Sequence, residues 1–193
     1  MTSPSVRLDQ YSPSADYTPG ASLIKQLLWY YIGSPLVMSY WLPMSGIKVR
    51  ILRQFGAIIG NGVRIKPGVR IKFPWRLIVA DHCWLGEGAW IDNLAPVTLG
   101  SNVCLSQGTY LCTGNLDWSE PTFDLRLGPI SIEQSAWIGA RAVVGPGVTV
   151  GEGAVLTLNS VASRSLERWQ VYAGNPCQSI KKRTILGVAD TTA

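Results

Sequence analysis

The side chains able to move a proton are few and far apart in this chain. Its only histidine, His82, stands in the stretch ADHCWLG. A separate segment, Asn115 to Pro129 (NLDWSEPTFDLRLGP), gathers Asp117, Glu120 and Asp124 with Trp118 and Phe123. A histidine or a carboxylate is the usual source of a general base, which an alcohol needs before it can attack at neutral pH. An unperturbed aspartate, with a pKa of about 3.9, is a weak base and must be buried to become a better one. The aromatic residues of the same segment would either stack on a ligand or pin the segment to its scaffold. Four cysteines (Cys83, Cys104, Cys112 and Cys177) form no CxxC pair and no metal-ligand spacing, so they read as small buried side chains and no metal is expected.

What positions these groups is a period of six. Aliphatic residues recur at Ile59, Ile65, Ile71 and Leu77, and after a slip of two at Val79, Leu85, Ile91 and Val97. After a second slip they stand at Leu99, Leu105 and Leu111, and past one interruption at Ile132, Ile138, Val144, Val150 and Leu156. Six residues match neither the 3.6-residue helix nor the two-residue strand alternation. They match a solenoid of three flat faces, each short strand giving one inward side chain per face. Glycine or a small polar residue after the aliphatic position is expected to permit a tight corner. A small residue four places on, from Val63 and Val69 to Ala142 and Ala154, fits a narrow interior. The single break, Asn115 to Pro129, must loop outward from a corner, and loops on rigid scaffolds are where function concentrates.

With 193 residues, 47% of them hydrophobic and 15% charged, the chain can bury a sizeable core. The net charge of +5 suits a phosphorylated ligand and is too weak to argue for nucleic acid; the 17 basic residues read as spread along the chain apart from a cluster near its end. Residues 1–20 read as a loosely held arm, with no secretory signal, which makes the cytoplasm the default compartment. Residues 21–58 read as a helical cap of two short helices, broken at Gly33–Pro35 and again near Pro43–Gly46. Within it, Leu23 to Leu42 is about as long as a membrane span, but Lys25, Gln26 and Gly33-Ser34-Pro35 argue against one. Its cluster of Trp29, Tyr30, Tyr31, Tyr40 and Trp41 suits a cap, a subunit contact or peripheral contact with a membrane. The repeat region spans 59–177. Residues 178–193 read as a short closing helix over Gln178 to Arg183 and a frayed tail.

The hexads, the loop after Cys112–Gly114, the run AWIGARAVVGPGVTVGEGAV and the closing VYAGNPCQSIKKR together resemble the hexapeptide-repeat acyltransferases. Within that group, NLAPVTLGSNVCLSQGTYLCTG followed by DWSEPTFDL is similar to the colanic acid biosynthesis acetyltransferase family. The resemblance implies an all-β, left-handed parallel β-helix, against the usual crossover hand. It implies a homotrimer with active sites at subunit junctions, acetyl-CoA as donor and a sugar hydroxyl as acceptor, in exopolysaccharide or surface-glycan biosynthesis. By likeness to galactoside and maltose acetyltransferases, the donor would meet Ala140, Leu158, Ser163, Arg164 and Lys181. Backbone groups at Ala140 and Leu158 would hold its amides, and Arg164 and Lys181 its phosphates. The bland alternative for Lys181, Lys182 and Arg183 is a solvated helix end favoured by the macrodipole.

One departure stands out. The family places a basic histidine in the loop after the TG pair, and here Leu116 holds the matching position, with Asn115 beside it. Three readings stay open: His82 reaches the site from a neighbouring coil, Asp117 serves instead, or positioning suffices without a dedicated base. A hexapeptide-repeat carbonic anhydrase is excluded, since it needs several histidines for its metal. A nucleotidyltransferase would need a nucleotide-binding domain ahead of the repeat. The competing class is a weakened or inactive homologue acting as a trimeric scaffold in polysaccharide assembly.

Overall fold

A computed structural model describes residues 5–11 and 17–186. Parts of the expected arm (1–20) and of the expected frayed tail lie outside the described residues. The repeat forms a β-helix of short parallel strands on three faces. Face 1 stacks Ile58–Ile59, Leu77–Val79, Val97–Leu99, Ile130–Ile132 and Thr149–Val150. Face 2 runs from Arg64–Ile65 through Trp84–Leu85, Cys104–Leu105, Trp137–Ile138 and Val155–Leu156 to Gln170–Gly174. Face 3 stacks Arg70–Ile71, Trp90–Asp92, Tyr110–Cys112, Val143–Val144 and Val161–Ala162.

Every aliphatic residue of the six-residue period is buried, and so are the small residues four places on. The slips of two have a simple cause. Face 1 strands such as Leu77–Val79 and Val97–Leu99 are three residues long and turn both end side chains inward. The hexad glycines act differently from the expectation. Left-handed backbone falls not on the glycine after the aliphatic residue but two places later, at Gly62, His82, Asn102 and Ser135 on one corner and at Gly68, Gly88, Gly108 and Arg141 on the next. The first glycine serves close approach instead: a Cβ at Gly139 would lie 2.6 Å from the Leu158 nitrogen of the next coil.

The interruption folds as a hairpin, Gly114–Leu116 pairing antiparallel with Leu125–Leu127, and leaves the coil between faces 3 and 1. The expected C-terminal helix is absent. Cys177–Lys182 is a strand that pairs antiparallel with Gln170–Gly174 and extends face 2. The last coil would otherwise expose a row of unpaired backbone groups, and an edge strand carrying Lys181 and Lys182 both satisfies and blunts that edge. The macrodipole reading of these cations goes with the helix.

The N-terminal segment also differs from expectation. Its first helical run does not break at Gly33–Pro35 but continues as Leu23–Leu28, a π-helical turn over Trp29–Gly33, and Ser34–Met38. Pro35 supplies no N–H and crowds the carbonyl four residues back, and the wide turn ahead of it absorbs both. The expected break near Pro43–Gly46 is present, and the next helix is Ser45–Gln54. Trp29 anchors the run: its indole N–H donates to the Ile71 carbonyl at 3.2 Å and its ring meets Phe55 edge-on. A Cβ on Gly33 would collide with the Trp29 ring at 2.4 Å, so the glycine is required there for packing.

Lys48, on the second helix, is fully buried and faces no carboxylate. Its ammonium donates to the carbonyls of Ser39 (3.3 Å) and Lys66 (3.4 Å), tying the connector between helices to the first coil. Burial pushes the Lys48 pKa down from its ordinary value. The unfolded chain therefore binds more protons than the folded one between the lowered value and the free-lysine value of about 10.4, and stability contributed at this position rises with pH through that window. Measured by urea unfolding, the parent should gain stability over Lys48→Met as pH rises from 7 toward 10. A gap between the two that ignores pH would contradict the assignment.

Candidate active site

Three corners run the length of the coil, and the candidate residues divide among them. The corner between faces 2 and 3 holds two-residue turns at Pro67-Gly68, Glu87-Gly88, Gln107-Gly108, Ala140-Arg141 and Leu158-Asn159. In the upper four, the second residue donates to the first residue of the turn below, as from Arg141 to Gln107 (2.8 Å) and from Asn159 to Ala140 (2.9 Å), while Gly68 donates to Met38 of the helical segment (2.8 Å). The N–H groups of Ala140 and Leu158 enter no such ladder, and Leu158 is exposed. Two backbone donors thus stand one coil apart, about 4.8 Å, at the edge of the C-terminal coils.

Ser163 and Arg164 are exposed on the next corner, between faces 3 and 1, just past Val161–Ala162. Lys181 is exposed on the closing edge strand of face 2, paired with Val171. Within one chain the structure therefore brings Ala140 and Leu158 together and sets Arg164 and Lys181 apart from them.

The proton-moving candidates are divided too. His82 is exposed at the corner between faces 1 and 2, in left-handed backbone (φ 60°). Its ring folds toward the preceding coil, where a Cβ on Gly62 would meet Nδ1 at 2.4 Å. Asn115 and Asp117 belong to the hairpin at the other end of face 1. Asn115 is exposed and its Oδ1 accepts from the Leu116 N–H at 2.8 Å. Leu116 is half-buried, opposite Leu125.

Asp117 is buried at the base of the hairpin loop and fully engaged. It accepts from the Ser119 hydroxyl and N–H, and the Arg126 guanidinium pairs with its other oxygen. The hydrogen bonds from Ser119, assisted by the Arg126 charge, hold its pKa below the usual carboxylate range. Burial here comes with donors, so it yields a stable anion that braces the loop and not a stronger base. Trp118 is exposed at the tip and Phe123 is half-buried.

A feature not foreseen from the residues lies one coil below the hairpin. A cleft of about 460 Å³ opens between the first helical run and face 3, lined by Trp29, Arg70, Lys72, Phe73, Trp90 and Asp92 among others. Arg70 lies over the Trp90 ring at 4.9 Å, and Trp90 stacks on Tyr110 with ring centroids 4.6 Å apart. Asp92 accepts from the Tyr110 hydroxyl at 3.2 Å and pairs with the Lys72 ammonium at 3.1 Å. Burial, with Cys112 and Asp92 close by, pushes the Tyr110 phenol up, so it stays a proton donor at neutral pH. Aromatic faces beside fixed charged groups suit a polyhydroxylated ring, apolar on one face and hydrogen-bonding at its rim. The signal was present in the sequence as Arg70, Trp90 and Tyr110, spaced by one twenty-residue coil. Among the described residues, no group of three or more His, Cys, Asp or Glu side chains is placed to hold a metal.

Known proteins agree with this architecture. Residues 129–161 match the family model described as the hexapeptide repeat of succinyl-transferase. The chain is 36% identical over 166 residues to the putative colanic acid biosynthesis acetyltransferase WcaF of Escherichia coli, covering 85% of this chain and 90% of that one. It is 25% identical over 135 residues to the galactoside O-acetyltransferase of E. coli, across 68% of this chain and 66% of that one. A hexapeptide-repeat acetyltransferase from Vibrio cholerae, solved with acetyl coenzyme A, superposes with a TM-score of 0.76 at 20% identity, over 86% of this chain and 92% of that one.

Asp117→Asn should loosen the hairpin selectively. Limited proteolysis within 115–129 is expected to speed up several-fold while the unfolding midpoint of the coil changes little. Because the folded-state pKa of Asp117 is depressed, its contribution is present above about pH 4 and fades as pH falls through the lowered value, so acid should mimic the substitution. Equal cleavage of parent and variant would remove Asp117 as the brace.

Proposed function

This chain belongs to the hexapeptide-repeat acyltransferases, and from that premise we propose that it is an O-acetyltransferase using acetyl-CoA to acetylate a sugar hydroxyl in exopolysaccharide or surface-glycan biosynthesis. The observation that carries the donor half is the pair of unladdered N–H groups at Ala140 and Leu158 on one corner of the C-terminal coils. They would take the amide carbonyls of the pantetheine arm. Arg164 and Lys181 would meet phosphates, with Ser163 beside them. Since Arg164 and Lys181 sit away from that corner, the donor groove is completed between copies: Ala140 and Leu158 come from one protomer and Arg164 from its neighbour in a homotrimer. The left-handed winding belongs to the same reading.

The acceptor is proposed to enter the cleft under the first helical run, its ring against Trp90 and its hydroxyls toward Asp92 and Lys72. One hydroxyl would then face the hairpin one coil above. In the transfer its oxygen bonds to the acetyl carbonyl carbon, the carbon–sulfur bond breaks, and coenzyme A leaves as the thiol after taking up a proton. The hydroxyl proton needs an acceptor, and the hairpin offers Leu116 where a base is expected, with Asp117 already committed to Ser119 and Arg126. His82 is left as the base to test. It lies a full face away in its own chain, so it would serve a site formed with another copy. Loss of general-base help typically costs about 10²–10⁴ in rate, which leaves room for slow transfer by positioning alone.

The donor half has a clean test. Pro67 occupies the turn position equivalent to Ala140, so Ala140→Pro should fold normally while deleting one N–H. Titration calorimetry should show coenzyme A bound about tenfold more weakly, the worth of one hydrogen bond. Arg164→Ala with Lys181→Ala should weaken it further, most at low salt. No binding by the parent protein would sink the donor reading. For the acceptor half, Trp90→Ala should raise KM for a responsive glycan with kcat little changed. In the same assay His82→Ala should lower kcat; unchanged turnover removes His82 as base. Coenzyme A binding without turnover on nucleotide sugars or lipid-linked oligosaccharides returns the scaffold reading.

A further inference from the structure

The net charge of +5 conceals a strong asymmetry, which corrects the impression of evenly spread basic residues. Residues 17–80 hold nine of the 17 Lys and Arg and none of the 12 Asp and Glu, whereas the remaining residues hold eight basic and twelve acidic groups. The cationic stretch is the helical segment and the first coil, one end of the solenoid. Arg50, Arg53, Arg64 and Lys66 are exposed there.

The same end carries an unusual amount of exposed apolar surface. On the first helical run only Trp29, Gly33 and Val37 are buried, a stripe spaced by four. The opposite side should be polar on a surface helix, yet it presents Ile24, Leu28, Tyr31 and Ile32, each at least 46% exposed. The connector after it adds Tyr40 and Met44, and Trp41 is 97% exposed. Such a patch on a folded surface marks a contact. The run from 23 to 38 is roughly 24 Å long at 1.5 Å per residue, shorter than a hydrocarbon core of about 30 Å, and it is pinned to the coil through Trp29. No helix among the described residues is long and apolar enough to cross a membrane.

We propose that this end of the protein docks on an anionic phospholipid bilayer, with the apolar side of the 23–38 run, Tyr40 and Trp41 entering the headgroup boundary and the surrounding cations meeting the lipid charge. Tyr and Trp favour that depth, and each nearby Lys or Arg adds attraction to acidic lipid. The charge decides between lipid and a second copy of this chain. A self-complementary contact would bring two net-cationic surfaces together around the patch, each with Glu87 beside Tyr40 as a neighbouring acid, whereas an anionic bilayer neutralises the excess charge. The inference stands apart from the acetyl-transfer reading and needs no donor or acceptor.

The test uses the full chain with unilamellar vesicles of phosphatidylcholine, with and without phosphatidylglycerol. Co-sedimentation is expected with the anionic vesicles only and should weaken as salt is raised. Trp41→Ser with Leu28→Ser should cut partitioning about tenfold or more, and Arg50→Glu with Lys66→Glu should abolish the preference for anionic lipid. All these positions are exposed, and an unchanged unfolding midpoint confirms that each variant is folded. Absence of binding to anionic vesicles, or equal binding to neutral ones, overturns the proposal. So does sedimentation velocity in which Trp41→Ser with Leu28→Ser converts an oligomer to a monomer, since the patch would then be an interface between copies.

Discussion

Everything in this protein follows from the width of its interior. Three strands close each coil, so a strand has room for one inward side chain, or two where face 1 lengthens, and successive coils must approach within backbone hydrogen-bonding distance. That constraint fixes an aliphatic residue at each inward position, a small residue where the corner narrows, and glycine where a Cβ would strike the next coil, as at Gly139 against Leu158. It leaves nothing inside for chemistry. The charged groups of the coil go to the corners, to the outward side of the strands, and to the one hairpin that leaves it.

The ends of such a stack are its weak points, because each exposes unpaired strand edges and core side chains. The two ends are closed in different ways. At the C-terminus the chain turns back as a strand and donates its own backbone. At the N-terminus helices cover the first coil, fixed by Trp29 against Ile71 and by a buried, unpaired Lys48 that donates only to carbonyls. The helical closure buries three positions of its first run and leaves Ile24, Leu28, Tyr31 and Ile32 exposed, which is the surface proposed to meet lipid.

Much of this was legible in the residues, because a six-residue period has few physical solutions. The inward set could be named residue by residue from Ile59 to Leu156. What escaped depended on pairings that the period does not encode. Nothing in QSIKKR distinguishes helix from strand; the bare edge of Gln170–Gly174 decides it. Pro35 reads as a break until the wide turn before it is seen. Asp117 reads as a possible base until Ser119 and Arg126 are found on it. Arg70, Trp90 and Tyr110 become a ladder only when the coil length of twenty residues is known. The candidate site is likewise divided by geometry: the constraint that makes the scaffold rigid also sends the candidate residues to separate corners, and the proposed groove is one that neighbouring copies complete.

That division is the central claim, and subunit mixing tests it most directly. Ala140→Pro and Arg164→Ala damage opposite halves of the proposed donor groove. Co-expressed in equal amounts and purified together, without separating mixed from uniform assemblies, the two defective chains should recover roughly a quarter of their sites at parental affinity for coenzyme A, the share that random pairing of an intact corner with an intact neighbour gives. If calorimetry on the mixture shows only the two weakened affinities and no tight class, the groove lies within one chain and the account is wrong.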